Sequence, residues 1–368
     1  MIREGNVAFF TNKGIKIAGI ATAVPDNYVP VESFAERFGE EAVQKFTEST
    51  GIHSIYQALP DQTASDLAFA AADELFQKTG ADKEKIGVMV FVTQSPDYRR
   101  PSSACVLQKR LSLPVDCACV EVELGCSGFV YAIQTAMSMM ATCEAEYGLV
   151  MIGETASKLV DPMDKSIVMM YGDGGAAVLL KKEGSDTIQA MLKSDGSRYK
   201  AIVLPAGGFR DMNPGHDRFI CSDGIERSLY DIFMDGTSVF SFTINDVPQT
   251  IREYYQKTNT CGEDYDVVVL HQANRYILKH VVKRIKAPQD RVAVSIDRYG
   301  NTGGVSIPLT LCDKYGTEKA GSVKALMSGF GIGLSWGVFS AVVDTEKVYP
   351  VIRTSHCYTE GRFEPGKY

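Results

Sequence analysis

Residues 115–140 read VDCACVEVEL-GCSG-FVYAIQTAMSMM, and the periodicity of the chain changes once within them. As far as Leu124 the run is extended and rich in strand-forming residues; beyond Gly128 the apolar residues recur at helical spacing. Gly125-Cys126-Ser127-Gly128 therefore reads as a tight strand-to-helix turn. A cysteine there meets the free N–H groups and the dipole of a helix N-terminus, which favour thiolate. Its flanking glycines permit a sharp turn and the close approach of a substrate. That is the setting of a nucleophilic cysteine. Taken alone, the residue is better explained as a buried structural cysteine.

Working outward, strand and helix signals alternate as in a layered α/β protein. IKIAGIATAV, IGVMVFVTQ, YGLVMIGET and GAAVLL read with VDCACVEVEL as buried strands, and ASDLAFAAADELFQKTG as a helix capped by Ser65 and closed by Gly80. The second half repeats this grammar. SVFSFTINDVPQTIREYYQKT reads as a helix, YDVVVLHQAN as a strand and VVKRI as part of a helix; VAVSID is a strand, VSIPLTLCDKYG a helix and KALMSGFGIGLSWGVFSAVV a strand pair. Residues 82–94 resemble 262–274, and VDCACVEVELGCSG corresponds to RVAVSIDRYGNTGG. The repeat predicts two halves, 1–183 and 228–346, joined by a Gly-, Asp-, Ser- and Pro-rich connection at 184–227, with a polar tail, 347–368, as a loose extension. Cys126 and Asn301 would then occupy equivalent turns and meet at the interface of the halves.

Composition narrows the function classes. With 45% hydrophobic and 23% charged residues, the 368-residue chain can bury a large core. A net charge of -7 argues against nucleic acid or an anionic membrane as the main partner. No apolar run is long enough to span a bilayer, and MIREGNVAFFTNKG lacks the layout of a signal peptide, so a cytoplasmic protein is expected. The 9 cysteines are scattered through apolar stretches and are expected to be reduced. Cys117 and Cys119 fall on one face of a strand without the further ligands that structural zinc requires, and read as small hydrophobes; no metal is expected.

Three further pieces carry chemistry. His271 ends the apolar strand VVVL and opens His271-Gln272-Ala273-Asn274, where sites form in α/β proteins. Asn301 lies in Tyr299-Gly300-Asn301-Thr302-Gly303-Gly304, and its amide can donate to a developing enolate. The alternating glycines of Gly329-Phe330-Gly331-Ile332-Gly333 let backbone approach a ligand, so that N–H groups of Ile332 and Cys126 could form an oxyanion hole. Gly172-Asp173-Gly174-Gly175 matches neither a phosphate loop nor a dinucleotide fingerprint; it reads as a turn shaping the site, and no cofactor is expected.

In combination, LGCSGFVYAI, DPMDKS followed by YGDGGAAVLL, LHQAN, RYGNTGG and GFGIGLSWG resemble the β-ketoacyl-ACP synthase III family, in family order, from Ile15 to Val343. The resemblance implies a duplicated, five-layer (α-β-α-β-α) thiolase-like fold, normally a homodimer. It implies acyl-CoA or acyl carrier protein thioesters as partners, and a product entering fatty acid or polyketide biosynthesis. By the same resemblance Cys126 accepts the acyl group, while His271 and Asn301 assist decarboxylation of a malonyl thioester. The substrate pocket is expected from Tyr171, Asn274 and Phe330, with Arg100 reaching in from the partner subunit.

Departures from the family concern the substrate. Lys45 and Lys165 stand where an adenine-stacking tryptophan and arginine are usual, and lysine cannot stack as a planar group. Arg100 and Tyr171 point to a polar, acidic or short acyl group. Arg275, Lys279 and Lys283 recur on one face of a helix, opposite Ile277, Leu278, Val281, Val282 and Ile285, as a dock for an acidic carrier protein. The rival readings are an acyltransferase that passes the group to a hydroxyl or amine, a polyketide starter-unit enzyme, and a non-catalytic scaffold. A hydroxymethylglutaryl-CoA synthase is disfavoured, because Gln94 stands where it needs a carboxylate.

Overall fold

The computed structural model describes residues 7–363 and 366; the opening MIREGN of the segment tested for a signal peptide, and the end of the expected tail, lie outside the described residues. The principal strands are β1 (Phe9–Pro25), β2 (Ile86–Val92), β3 (Ala118–Val122), β4 (Tyr147–Glu154), β5 (Gly174–Ser194), β6 (Val267–Leu270), β7 (Ser322–Gly331), β8 (Ser335–Asp344) and β9 (Ile352–Thr354). The main helices are α1 (Glu40–Thr50), α2 (Ala64–Thr79), α3 (Ser103–Arg110), α4 (Gly128–Ala141), α5 (Gly236–Thr258), α6 (Arg275–Ile285) and α7 (Ser306–Tyr315).

Hydrogen bonding links the strands in the order β6-β7-β8-β5-β4-β2-β3, with β1 beside β5 and β9 beside β1. One ribbon, β1 against β5, makes this continuous. The first part of β5 (Gly174–Lys181) pairs with β4, and its last part (Gln189–Ser194) pairs with β8. β1 follows it antiparallel throughout, with register breaks between Lys13 and Ile15 and between Ile17 and Gly19. The expected boundary after residue 183 therefore falls inside a strand, and the segment read as a connection opens as part of the sheet. The turn signals were right for residues further on, but the apolar IQAML after the charged Lys181–Glu183 already belongs to β5.

The strands are apolar throughout because both faces are covered. Along β2, Val88, Val90 and Val92 face the core that holds α4 and α7, while Met89 and Phe91 face the core that holds α2 and α3. On the other side of the molecule, Val267 and Val269 join the central core and Val268 and Leu270 join that of α5 and α6. Period-2 alternation thus sorts each strand between two helical layers. The result is the expected five-layer order: α2 and α3, strands, α4 and α7, strands, α5 and α6.

Local chemistry departs from expectation in three places. Helix α2 is capped by Thr63, whose capping box with Asp66 closes both ends of the first turn, so Ser65 lies inside the helix rather than at its cap. The stretch VAVSID is not a strand: Val292 makes one parallel bridge to Val268 and the chain then turns into a short helix, Ile296–Tyr299. Strand β3 is an edge strand, with Ala118 exposed and Cys119–Val122 only half-buried. Cys117 is buried and its Sγ lies 4.0 Å from that of Cys119, with no metal-holding cluster among the described residues.

The tail is docked rather than loose. β9 adds a parallel strand to β1, and Gln62 Nε2 donates to the carbonyls of Thr354 and His356 at 3.0 and 3.1 Å. Arg110 is the anchor. Its guanidinium donates to Asp66 at 2.8 Å and lies 4.6 Å from the ring centre of Phe69 and 4.4 Å from that of Tyr358. Both charged side chains are almost wholly buried, 3% and 1% exposed, so removing one strands the other. Arg110→Met should lower the unfolding free energy by about 3–5 kcal/mol in urea titrations. Lys109→Met, whose pairing with Glu360 is exposed, should leave the titration in place; equal effects would reject the anchor.

Candidate active site

A cavity of about 230 Å³ opens between the two halves, and Cys126, His271 and Asn301 all line it. Each arrives from the C-terminal end of an element. Cys126 lies between β3 and the first turn of α4. The hairpin β7–β8 packs against it: a Cβ on Gly331 would lie 2.8 Å from Cys126 Cβ and 3.2 Å from Sγ, so only glycine leaves the thiol its place. The tip of that hairpin is fixed by Ser335, whose Oγ lies 2.6 Å from Ser127 Oγ and donates to the Ile332 carbonyl at 2.7 Å. The carbonyl of Ile332 is thereby turned to Ser335, and Ile332 itself lines the cavity beside Cys126.

His271 extends β6 by one more ladder bond, its N–H donating to Ser328 O at 2.8 Å. Its Nδ1 lies 2.9 Å from Ser306 Oγ at the start of α7, and Phe330 meets the ring edge-on with centres 5.4 Å apart. The buried Gln272 side chain holds the following loop, donating to Leu270 O at 2.8 Å and accepting from Ser295 N–H at 3.0 Å. Asn274 then caps α6 by accepting from Ile277 N–H at 2.8 Å. Asn301 is tied to the other half through its backbone, N–H to Met170 O at 2.8 Å and O from Gly172 N–H at 3.2 Å. Its Oδ1 accepts from Gly303 N–H at 3.0 Å, which leaves the Nδ2 hydrogens as the amide's free donors.

Desolvation sets the electrostatics. Burial holds His271 down at about 3, opposed by a hydrogen bond with the Gly303 backbone, so the imidazole is neutral at working pH. Burial pushes the Cys126 thiol up to about 12, with the Glu154 carboxylate adding to the effect and only the cysteine's own backbone opposing it. Burial thus works against the thiolate that the helix terminus was expected to favour. Tyr171 is likewise raised, by burial first and then by Cys126 and Glu154.

Glu154 is the residue that the sequence reading missed. It ends β4, is 4% exposed and lines the same cavity. Its Oε2 accepts one long bond, 3.4 Å, from Gln94 N–H, and its Oε1 has no partner among the described residues. Burial raises it to about 8; the Gln94 N–H opposes this and Asp173 adds to it. A charged residue closing the apolar run YGLVMIGE at a strand's C-terminal end was the available signal, the same one that marked His271. Asp173, in the turn read as shaping the site, is also buried and raised to about 6, and accepts from Ala58 N–H at 2.7 Å and Ser157 N–H at 3.0 Å.

The other expected residues divide. Tyr171, Asn274, Phe330 and Ile332 line the cavity with Cys126, His271 and Asn301, as do Leu159, Met170 and Phe240, which were not anticipated. Arg100 is off this chain's own cavity: it is exposed and, with Arg99, lies 5.9 Å from the ring centre of Phe209. Lys45 is exposed and paired with Glu41 at 2.7 Å. On α6, Arg275, Lys279 and Lys283 are exposed while Ile277, Leu278, Val281, Val282 and Ile285 are buried, and Asn274, Tyr276 and Ile277 carry the start of that helix to the cavity.

The chain matches relatives over nearly their whole length. Residues 120–196 match the family described as 3-oxoacyl-[acyl-carrier-protein (ACP)] synthase III, and residues 255–343 match its C-terminal part. A β-ketoacyl-[acyl-carrier-protein] synthase III of Clostridium perfringens is 34% identical over 329 residues, 88% of this chain and 98% of that protein. The crystal structure of a 3-oxoacyl-(acyl-carrier protein) synthase from Burkholderia xenovorans LB400 superposes with a TM-score of 0.87 at 31% identity, covering 95% of this chain and 99% of that one. The priming β-ketosynthase from the R1128 polyketide biosynthetic pathway shares the fold, with a TM-score of 0.78 at 23% identity, over 90% of this chain and 97% of that one. Fold and site together define a thiolase-like condensing enzyme. Within that class, the chain belongs to the β-ketoacyl-ACP synthase III family.

The Glu154 carboxyl generates a stability signature. The folded chain holds a proton there between the ordinary 4.5 and about 8, which the unfolded chain releases. Its contribution to stability is fully present below 4.5 and is lost as pH rises through about 8. Glu154→Gln should therefore gain in melting temperature on the wild type between about pH 5 and about pH 9. A difference that stays constant over that range in thermal unfolding would reject the assignment.

Proposed function

We propose that the enzyme loads an acyl group from a thioester onto Cys126 and elongates it by decarboxylative Claisen condensation with a malonyl-type thioester. The observation that carries this reading is the meeting of one thiol, one neutral imidazole and one amide donor on a single buried cavity. Sγ attacks the acyl carbonyl, the donor's C–S bond breaks, and the thiol proton leaves with the departing thiol. Backbone N–H groups of Cys126 and Ile332 hold the oxyanion. The extender then loses carbon dioxide. His271 and the Asn301 Nδ2 donate to the enolate oxygen that remains, and neutrality suits His271 to this, since a buried imidazolium would hold its charge at a desolvation cost. The carbanion attacks the acyl-cysteine, a C–C bond forms, the S–C bond breaks, the Cys126 sulfur takes up a proton from solvent, and the β-ketoacyl product departs.

Acyl-CoA or acyl carrier protein thioesters are the proposed donors, and the family relatives carry the carrier protein in their names. The exposed Arg275, Lys279 and Lys283 make no ion pair among the described residues and so stay free to meet an acidic carrier. A homodimer is proposed because β3 ends the sheet with a half-buried face that a partner's strand would cover. Arg100 would then reach the partner's cavity rather than its own.

Intact-mass analysis with a panel of acyl-CoA and acyl carrier protein donors should show an acyl adduct on the wild type and none on Cys126→Ala. His271→Ala and Asn301→Ala should still load, and should each lower turnover with a malonyl-type extender by about 10²–10³-fold. Loading that never proceeds to a new C–C bond would move the assignment to simple acyl transfer. No adduct from any donor would remove Cys126 as the nucleophile.

A further inference from the structure

Glu154 has no evident use in the folding of the chain. No cation pairs with it among the described residues, and its only protein hydrogen bond is the long one from Gln94. A buried carboxyl with an unpartnered oxygen costs stability. Such a group is retained where something else will pair with it. It lines the cavity with Cys126; the wall is mostly apolar, with Leu159, Met170, Ile202 and Val239 among its residues, and also carries Gln94, Thr243 and Tyr276. Gly303, beside Asn301, crowds its stem: a Cβ there would come 3.2 Å from Glu154 Cγ. The carboxyl is thereby held beside the catalytic loop.

We infer that the cavity selects an acyl group bearing a hydroxyl, which Glu154 recognises by hydrogen bonds donated and accepted inside a mostly apolar pocket. This deepens the condensing-enzyme reading and rests on it. A protonated carboxyl offers one O–H donor and one carbonyl acceptor, the complement of an alcohol. The proton is present at neutral pH because burial and the neighbouring Asp173 both disfavour the charge. An acyl group ending in a carboxylate would add a further negative charge to two carboxyl groups already desolvated, and is disfavoured in this chain's own wall. A plain alkyl chain would leave Oε1 unpaired, and sites built to pair a polar group reject analogues that lack it. Tyr171, also on the cavity, supplies a second hydroxyl within the same wall.

The test compares pantetheine thioesters of butanoate with those of 2-, 3- and 4-hydroxybutanoate and of 4-aminobutanoate. Loading of Cys126 is followed by intact mass, and binding to Cys126→Ala is followed by calorimetry. One hydroxybutanoyl isomer should exceed butanoyl by about tenfold or more in both measurements. Glu154→Leu should bring that ratio to within about twofold of unity, whereas Glu154→Gln, which keeps a donor and an acceptor, should preserve most of it. The readout is a ratio within one variant, so a general loss of activity cancels, and the Cys126→Ala/Glu154→Leu double variant gives the ratio where loading fails. The inference is overturned if butanoyl matches every hydroxy isomer, if Glu154→Leu keeps the preference, or if the amino compound leads. A hydroxyacyl preference in binding without any loading of the wild type would keep this inference and sink the condensing-enzyme reading. Loading without preference would do the reverse.

Discussion

Two apolar helices, α4 and α7, buried between two sets of strands impose the geometry on which the rest depends. Both are buried through most of their first turns, which therefore begin inside the protein, where strand ends and loops converge. Cys126 stands at the start of one, and Ser306, which holds His271, opens the other. The site is thus a by-product of covering both faces of each strand: it forms where the central layer begins. Glycine at 331 is the local expression of that constraint, since backbone and thiol share a space that no side chain can enter.

Desolvation is the second consequence of placing chemistry there. Cys126, Glu154, Asp173 and His271 are each displaced toward their uncharged forms, and burial leads in every case. An uncharged cavity suits an enzyme whose charge arises only during reaction. Fixed donors act most strongly when no competing charge or solvent is already present. The same conditions make Glu154 informative, because a carboxyl that is neither paired nor solvated carries its own cost.

Much of this was legible beforehand, for physical reasons that can be named. The strands announced themselves because burial on both faces writes unbroken apolar runs, and His271 because a polar residue closing such a run is conspicuous; Asn301 stood out only by its Gly-rich turn. Glu154 satisfied the same criterion as His271 in YGLVMIGE but belonged to none of the expected motifs. The burial that opposes a thiolate at Cys126 was not legible, because helix-terminus electrostatics can be read from a turn whereas depth of burial cannot. VAVSID has strand composition, yet its place beside β6 allows a single bridge before the chain must turn toward Asn301. The tail looked polar and irregular because its partners, Arg110 and Phe69, lie far off in sequence.

The ribbon of β1 and β5 makes the sheet indivisible, because one pair of strands serves both sets of neighbours. Neither set of strands could be cut out, swapped with a relative's or produced alone without leaving an open seam in the other.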